Sequence, residues 1–291
     1  MTQTVHLNGK LLPIEQAYVP VLDRGFIFGD GVYEVIPVYS GHPFRLREHL
    51  KRLDLSLAAI RLPNPHDMAT WEKLIHELLA PNMACSADYK DISLYLQVTR
   101  GPAPRDHAFP AETTHTVFMM CSPLVSPSDD VRERGVAAIS ADDFRWHRCD
   151  IKSISLLPNV LLRQQAVDAD AMETVLFREG ILTEGAVSNI FAVENGVMLA
   201  PPKDHHMLAG ITYDLILELA QANNIPVDIG HFEEARIRAA DELWTTSSAR
   251  EILPITTLDG KPIGSGRPGP MFTRMYGIYQ DYKQHVMRTK G

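Results

Sequence analysis

Cysteine is scarce in this chain of 291 residues: there are three, Cys85, Cys121 and Cys149, far apart and without a C-x-x-C pair. That excludes a disulfide framework and a cysteine-rich zinc site, and it fits a reducing, cytoplasmic setting. No run of 18 apolar residues occurs, so no membrane span is expected. The opening MTQTVHLNGKLLP has neither the basic start nor the apolar stretch of a signal peptide. Positive charge is not in excess; 28 Lys and Arg against 36 Asp and Glu leave a formal net charge of −8, which makes nucleic acid an unfavourable partner. Nucleotide and hydrolase signatures are missing as well: there is no GxGxxG after a strand, no GxxxxGK[ST], no HExxH and no GxSxG. The GDG at 29–31 is too short to cradle a dinucleotide. His205 and His206 are sequence neighbours after PPKD; on an extended segment adjacent side chains point opposite ways, so a solvated loop and no metal site are expected.

What is present is ordinary globular composition, 45% hydrophobic and 22% charged, enough for one large domain or two medium ones. Asn8-Gly9 between Val5–Leu7 and Leu11–Leu12 predicts a hairpin. Strands are predicted at 32–41, 91–101, 115–122, 135–140 and 240–248, with a meander over 173–202. Helical spacing marks 47–62, 68–80, 158–171, 211–224 and a last helix near 270–288. Hairpins in both halves with irregular alternation of strand and helix argue for an α+β fold. The polar segment 122–135, with two prolines and no periodicity, is the expected break. The predicted division is a small N-terminal α/β domain over 1–122, a linker over 123–134 and a large C-terminal domain over 135–291 carrying Lys152.

Four places carry a chemical signal. Lys152 lies among Ile151, Ile154, Leu156 and Leu157, a stretch expected to be mostly buried. A lysine kept neutral in a dry pocket is a nucleophile for carbonyl groups, although Arg145, Arg148 and Asp150 could equally make a salt network with it. Glu184 follows Thr183 at a turn; its position alone favours a turn carboxylate over a partner for a heterocyclic nitrogen. Gly210 before the helix opening at Ile211 and Thr212 is either a plain cap or an anion site. The TTSSARE run at 245–251 offers hydroxyls at a predicted strand-to-helix turn, and Arg52 could add a cation, though a helix-surface arginine is usually solvated. The proline-stiffened loop 100–110 projects Arg105 and His107, an exposed basic pair or a trap for a carboxylate.

Taken together and in order, DRGFIFGDGVYEVIPVY (23–39), LQVTRGPAPRDHAFP (96–110), RWHRCDIKSISLLPNVL (145–161), LTEGAVSNIF (182–191), LAGITYD (208–214) and ELWTTSSAREILPI (242–255) resemble the fold-type IV pyridoxal-phosphate aminotransferases, in particular their D-amino-acid branch. The resemblance covers essentially the whole chain. It implies a two-domain α+β architecture with the cofactor, pyridoxal 5′-phosphate, at the domain interface. It implies Lys152 as the Schiff-base lysine, Glu184 as the partner of the pyridine nitrogen and Leu208 packed on the ring. Arg52, the amides of Ile211 and Thr212, and the hydroxyls of Ser247 and Ser248 would take the phosphate. Tyr33, Arg105 and His107 would hold the substrate carboxylate, the latter two reached from a neighbouring subunit, so that a homodimer is implied. The reaction implied is exchange of an amino group between a D-amino acid such as D-alanine and a 2-oxo acid such as 2-oxoglutarate or pyruvate. Related chemistries on the same lysine are an L-branched-chain or (R)-amine aminotransferase, or an aminodeoxychorismate lyase. Ala186, Val187 and Ala249 stand where hydroxyl residues are common in the branch.

Overall fold

The computed structural model describes residues 3–85, 91–112 and 114–289, with the side chains of Ala84 and Cys85 outside the description. The chain divides into two compact units. The first comprises Met1–Val125, Ile151–Leu156 and His285–Gly291; the second comprises Ser126–Asp150 and Leu157–Gln284. Among the described residues no helix is long and apolar enough to cross a membrane.

The first unit is a six-stranded antiparallel sheet backed by helices. β1 (Thr4–Leu7) and β2 (Lys10–Pro13) form the expected hairpin; Asn8 and Gly9 take φ of 49° and 83°, as a turn with positive φ at both central residues requires. The remaining strands are β3 (Gly31–Tyr39), β4 (His42–Pro43), β5 (Asp91–Thr99) and β6 (Thr116–Pro123), in the order β2-β1-β6-β5-β3-β4. A short helix α1 (Arg24–Phe28) precedes β3, and α2 (Leu46–Ala59) and α3 (Met68–Cys85) follow β4. α2 buries Leu46, His49, Leu50, Leu53, Ser56 and Leu57, an i, i+3, i+4 stripe. Together with Val32, Ile36 and Val38 of β3 and with Trp71 and Ile75 of α3, its leucines make the unit's core.

β4 pairs only with Val38 and Tyr39, which leaves one edge of β3 open near its start. Residues 151–156 take that edge. Tyr33 N donates to Lys152 O at 3.0 Å, Ile154 N donates to Gly31 O at 3.1 Å, and Val32 bridges Ser153. The segment bearing Lys152 therefore belongs to the first unit, not to the C-terminal domain where the sequence division put it. His285–Gly291 also belongs there: Arg288 pairs with Asp91 at 2.6 Å and bonds Ser40 Oγ.

The second unit holds a nine-stranded mixed sheet. It contains β7 (Val136–Asp142), β8 (Glu173–Arg178), β9 (Ile181–Gly185), β10 (Asn189–Glu194), β11 (Val197–Ala200), β12 (Val227–Ile229), β13 (Glu242–Ser247), β14 (Glu251–Leu258) and β15 (Lys261–Pro262). The order is β12-β11-β10-β13-β14-β7-β8-β9, with β15 on β14. The β11–β12, β7–β14 and β7–β8 pairs are parallel and the others antiparallel, so the α+β expectation stands. Its helices are α4 (Asp129–Arg134), α5 (Leu157–Asp168), α6 (Ile211–Ala222), α7 (Glu234–Arg238) and α8 (Pro270–Tyr282).

Three local expectations change. The predicted linker 123–134 contains α4, because Ser128 caps it, Asp129 and Asp130 open it and Arg132 and Arg134 close it. Its polar character is that of a short capped helix. The last helix stops at Tyr282 and continues as a π-helical turn over Lys283–Met287. The TTSSARE turn joins two strands, β13 and β14, rather than a strand and a helix; Ser247 Oγ accepts from Arg250 N at 3.1 Å and closes it.

Candidate active site

On β3, alternation sends Tyr33 and Glu34 to opposite faces of the sheet. Lys152 Nζ lies 4.2 Å from the centroid of the Tyr33 ring, and Tyr33 in turn stacks on Tyr95 at 5.7 Å. The lysine's backbone is held on both sides, by Tyr33 N and by Ser56 Oγ, which accepts from Lys152 N at 3.2 Å. Burial of its surroundings is less complete than the sequence suggests: Ile151 is buried, Lys152, Ile154 and Leu156 are half-buried, and Leu157 is exposed. The salt network considered for this lysine goes elsewhere. Arg148 pairs with Asp150 at 2.9 Å, and Arg145 pairs with Asp143 and Glu184.

Glu34 sits on the core side of β3, fully buried, where alternation would ordinarily place an apolar residue. Arg52 Nε donates to Glu34 Oε1 and Arg52 Nη2 to Glu34 Oε2, both at 2.7 Å, and His49 Nδ1 meets Oε2 at 2.7 Å. Burial alone would raise the Glu34 carboxyl; Arg52 and His49 outweigh it and hold it at about 2. Arg52 is thus no solvated surface arginine but a guanidinium locked by a bidentate carboxylate. The sequence reading missed Glu34 and His49. A charged residue on the apolar phase of a strand, together with a histidine three positions before Arg52, was the available signal.

Arg105 and His107 both sit on Phe28. Arg105 Cζ is 5.5 Å from the Phe28 centroid, and the His107 ring is 5.3 Å away. Arg24 anchors the same loop, donating through Nη1 to Asp106 O at 2.5 Å and to Ala108 O at 3.3 Å. Both side chains are exposed. The GDG run has a structural task here: Gly29 ends α1 at φ 67°, Asp30 pairs with Arg24 and Arg100 at 2.8 Å, and a Cβ on Gly31 would lie 2.6 Å from Val98 O.

In the second unit Glu184 is the penultimate residue of β9, buried, with both oxygens engaged. Arg145 Nη1 donates to Oε1 at 2.6 Å; Asn189 Nδ2 and Leu208 N donate to Oε2 at 3.2 and 3.1 Å. Burial pushes this carboxyl up to about 7, against the opposing pull of Arg145. Arg145 is itself held by Asp143, and Asp143 accepts from Thr183 Oγ1 at 3.1 Å. This is more than a turn carboxylate needs. Asn189 was not singled out in the sequence, and Arg145 was considered only as a salt partner near Lys152; their positions relative to Glu184 carry no periodic signal.

Leu208, Ile211 and Thr212 lie where α6 begins. Gly210 caps that helix with no side chain, so no side chain serves the amides of its first turn. A Cβ on Gly210 would fall 2.1 Å from Asn189 Oδ1, a cradle that only glycine leaves open. Ser247 and Ser248 are half-buried at the end of β13, and the neighbouring Thr246 Oγ1 is buried without a hydrogen-bond partner.

His205 and His206 lie in a loop with His205 exposed, as expected, but the backbone turns at 205–206 instead of running extended, and the two ring centroids are 4.1 Å apart rather than pointing opposite ways. Cys149 is buried, and burial pushes its thiol up to about 11.

Residues 31–258 match the family described as Amino-transferase class IV. The chain belongs to the class IV aminotransferases. It is 40% identical to a D-alanine aminotransferase of Bacillus licheniformis over 92% of either chain. It is 36% identical to a D-alanine aminotransferase of Staphylococcus epidermidis over 96% of this chain and 98% of that one. Among solved structures, a branched-chain amino acid aminotransferase with pyridoxamine 5′-phosphate superposes with a TM-score of 0.88 at 25% identity, over 97% of this chain and 94% of that one. The branched-chain amino acid aminotransferase of Escherichia coli superposes with a TM-score of 0.84, also at 25% identity, over 97% and 94% of the two chains. The enzyme's cofactor is pyridoxal 5′-phosphate, as in its family. The residues present are of the kinds that group needs: a lysine with its backbone held, a buried carboxylate, and a helix start without a side-chain cap.

Proposed function

We propose that this aminotransferase acts on D-amino acids, with D-alanine as the type substrate and 2-oxoglutarate or pyruvate as acceptor. The observation that carries the reading is the Arg105/His107 pair seated on Phe28, in a chain that matches D-alanine aminotransferases along nearly its whole length.

When bound, pyridoxal phosphate supplies an electron sink that stabilises negative charge at the substrate's α-carbon and stores the amino group between half-reactions. Lys152 Nζ anchors it covalently. With the cofactor bound, the Lys152 amine would be the nucleophile that holds it and the general acid/base that moves the substrate's α-proton. Glu184 accepts the ring N–H, and Leu208 packs on the ring. Arg52, the amides of Ile211 and Thr212 and the hydroxyls of Ser247 and Ser248 hold the phosphate. Tyr33, Arg105 and His107 hold the carboxylate. Because the lysine acts from one fixed face, the side on which the carboxylate is held selects the enantiomer.

Arg105 and His107 serve the site of a second copy of the chain, and the enzyme is a homodimer of the cytoplasm. Exposed apolar side chains support the dimer: Tyr18, Val21 and Phe26 in the first unit are 81%, 73% and 76% exposed, and Leu157 and Val160 on α5 are exposed as well. Unpaired Cys121 and Cys149 support a reducing compartment.

The test is the visible spectrum of the purified holoenzyme before and after D-alanine or L-leucine. The cofactor band should bleach with D-alanine and persist with L-leucine; bleaching with L-leucine alone would replace this reading by an L-branched-chain one. Lys152→Ala should abolish multiple turnover. Mixing Lys152→Ala with Arg105→Met subunits should restore activity, since one site of each mixed dimer is then intact; no recovery would mean that the loop serves its own subunit.

A further inference from the structure

His147, His205 and His206, all in the second unit, have no part in transamination as described above. Their ligand nitrogens all lie within 4.8 Å of one another. His147 Nδ1 and His206 Nε2 are 3.2 Å apart. Two imidazole nitrogens about 2.0–2.1 Å from one tetrahedral zinc ion stand roughly 3.3–3.4 Å from each other. The observed separation is that of a hydrogen bond between the two rings, and it is also close to that of two ligands in one coordination shell. His205 offers a third nitrogen within 4.8 Å of the other two.

We propose that these three histidines bind a divalent first-row transition ion, zinc being the type, with water in the remaining position. Imidazole is a favoured ligand for such ions. The surroundings are those of a held site rather than three stray side chains. Asp204 Oδ1 accepts from His206 N at 2.7 Å and fixes the backbone of the turn, its Oδ2 lies 3.9 Å from His206 Nδ1, and Nε2 is the ring nitrogen turned to His147. Cys149 N donates to His205 O at 2.8 Å and ties the turn to the segment bearing His147. A cavity of about 260 Å³, lined by His147, Asp204, His206 and His231 among others, gives an ion access from solvent. Arg178 competes: its Nη1 is 3.1 Å from His147 Nδ1 and must move aside when the ion enters. It keeps its ion pair with Asp143 at 3.1 Å and its bond to Arg145 O at 3.0 Å, both made through Nη2.

The experiment is calorimetric titration of untagged holoenzyme with Zn²⁺, with metal content measured after desalting. One zinc per chain is expected. His147→Ala, His205→Ala and His206→Ala should each weaken binding by at least about tenfold, whereas His231→Ala, which removes a cavity residue outside the cluster, should leave it unchanged. The three rings are exposed or half-buried, so the variants should melt with the metal-free wild type, and that melt is the check on folding. Equal zinc uptake by the wild type and the triple variant, or equal weakening by His231→Ala, would overturn the site and leave only adventitious surface binding.

Discussion

Arg145 reaches Glu184 with a 2.6 Å hydrogen bond from Nη1 while its Nε and Nη2 grip Asp143 at 2.8 and 3.0 Å. The guanidinium thus sits between two buried carboxylates and fixes the orientation of the one assigned to the cofactor ring. Glu184→Gln preserves shape but weakens the ring's electron-withdrawing state. It should lower kcat by about 100-fold or more, within the range of general acid–base contributions, while cofactor affinity changes less. Single-turnover kinetics with equilibrium cofactor titration measure both; full turnover in this variant would remove Glu184 from its role.

Glu34 and Glu184 pull stability in opposite directions with pH. Glu34 is held at about 2 when folded, below its ordinary 4.5, so its contribution is complete above about pH 4.5 and is lost as pH falls toward 2. For this fully buried group the loss is on the order of 3 kcal/mol. Glu184 is raised to about 7 from 4.5; its contribution is present below about pH 4.5 and is lost as pH rises through 7. In urea unfolding of cofactor-free protein, Glu34→Gln should flatten the acid side of the stability profile and Glu184→Gln the neutral side. Profiles parallel to the wild type would refute the assignment.

The elements and the chemically marked residues were legible because they leave local traces. Asn8-Gly9 gives its hairpin, the leucine stripe gives α2, and Lys152 and Glu184 lie in recognisable runs. The supports were not legible. Arg145 is 39 residues from Glu184, and His147 is 59 from His206. Such pairings arise only once β-strand neighbours are chosen, and strand partners are a long-range property. The same reason hid the allegiance of residues 151–156: an open edge on β3, more than a hundred residues earlier, decides it.

Gly210→Ala tests the cradle at the start of α6. The new Cβ would fall 2.1 Å from Asn189 Oδ1, and Asn189 Nδ2 holds both Glu184 Oε2 and Leu208 O, at 3.2 and 2.9 Å. Either Asn189 or the helix start must move. Overpacking of this kind costs about 1–3 kcal/mol. The variant should melt earlier and bind cofactor more weakly; unchanged values of both would show that the close approach is relieved without disturbing Asn189.

Arg105 and Phe28 can be separated by their effects on KM and kcat. Arg105 would contact the substrate carboxylate directly, and a charge-assisted hydrogen bond is worth about 1.5–3 kcal/mol, so Arg105→Met should lower kcat/KM for D-alanine roughly 10- to 150-fold, mainly through KM. Phe28 acts through the loop it seats, with the Arg105 Cζ 5.5 Å and the His107 ring 5.3 Å from its centroid. Phe28→Ala leaves both polar groups present but loosens their placement, while Arg24 still holds the backbone of Asp106 and Ala108. It should therefore raise KM by less than Arg105→Met does and leave kcat nearly unchanged. Steady-state kinetics with D-alanine, and with an amine of similar size lacking the carboxylate, decide the matter: both variants should lose the preference for the carboxylate-bearing substrate. If Phe28→Ala lowered activity toward both compounds equally, its role would be to stabilise the fold rather than to seat the trap.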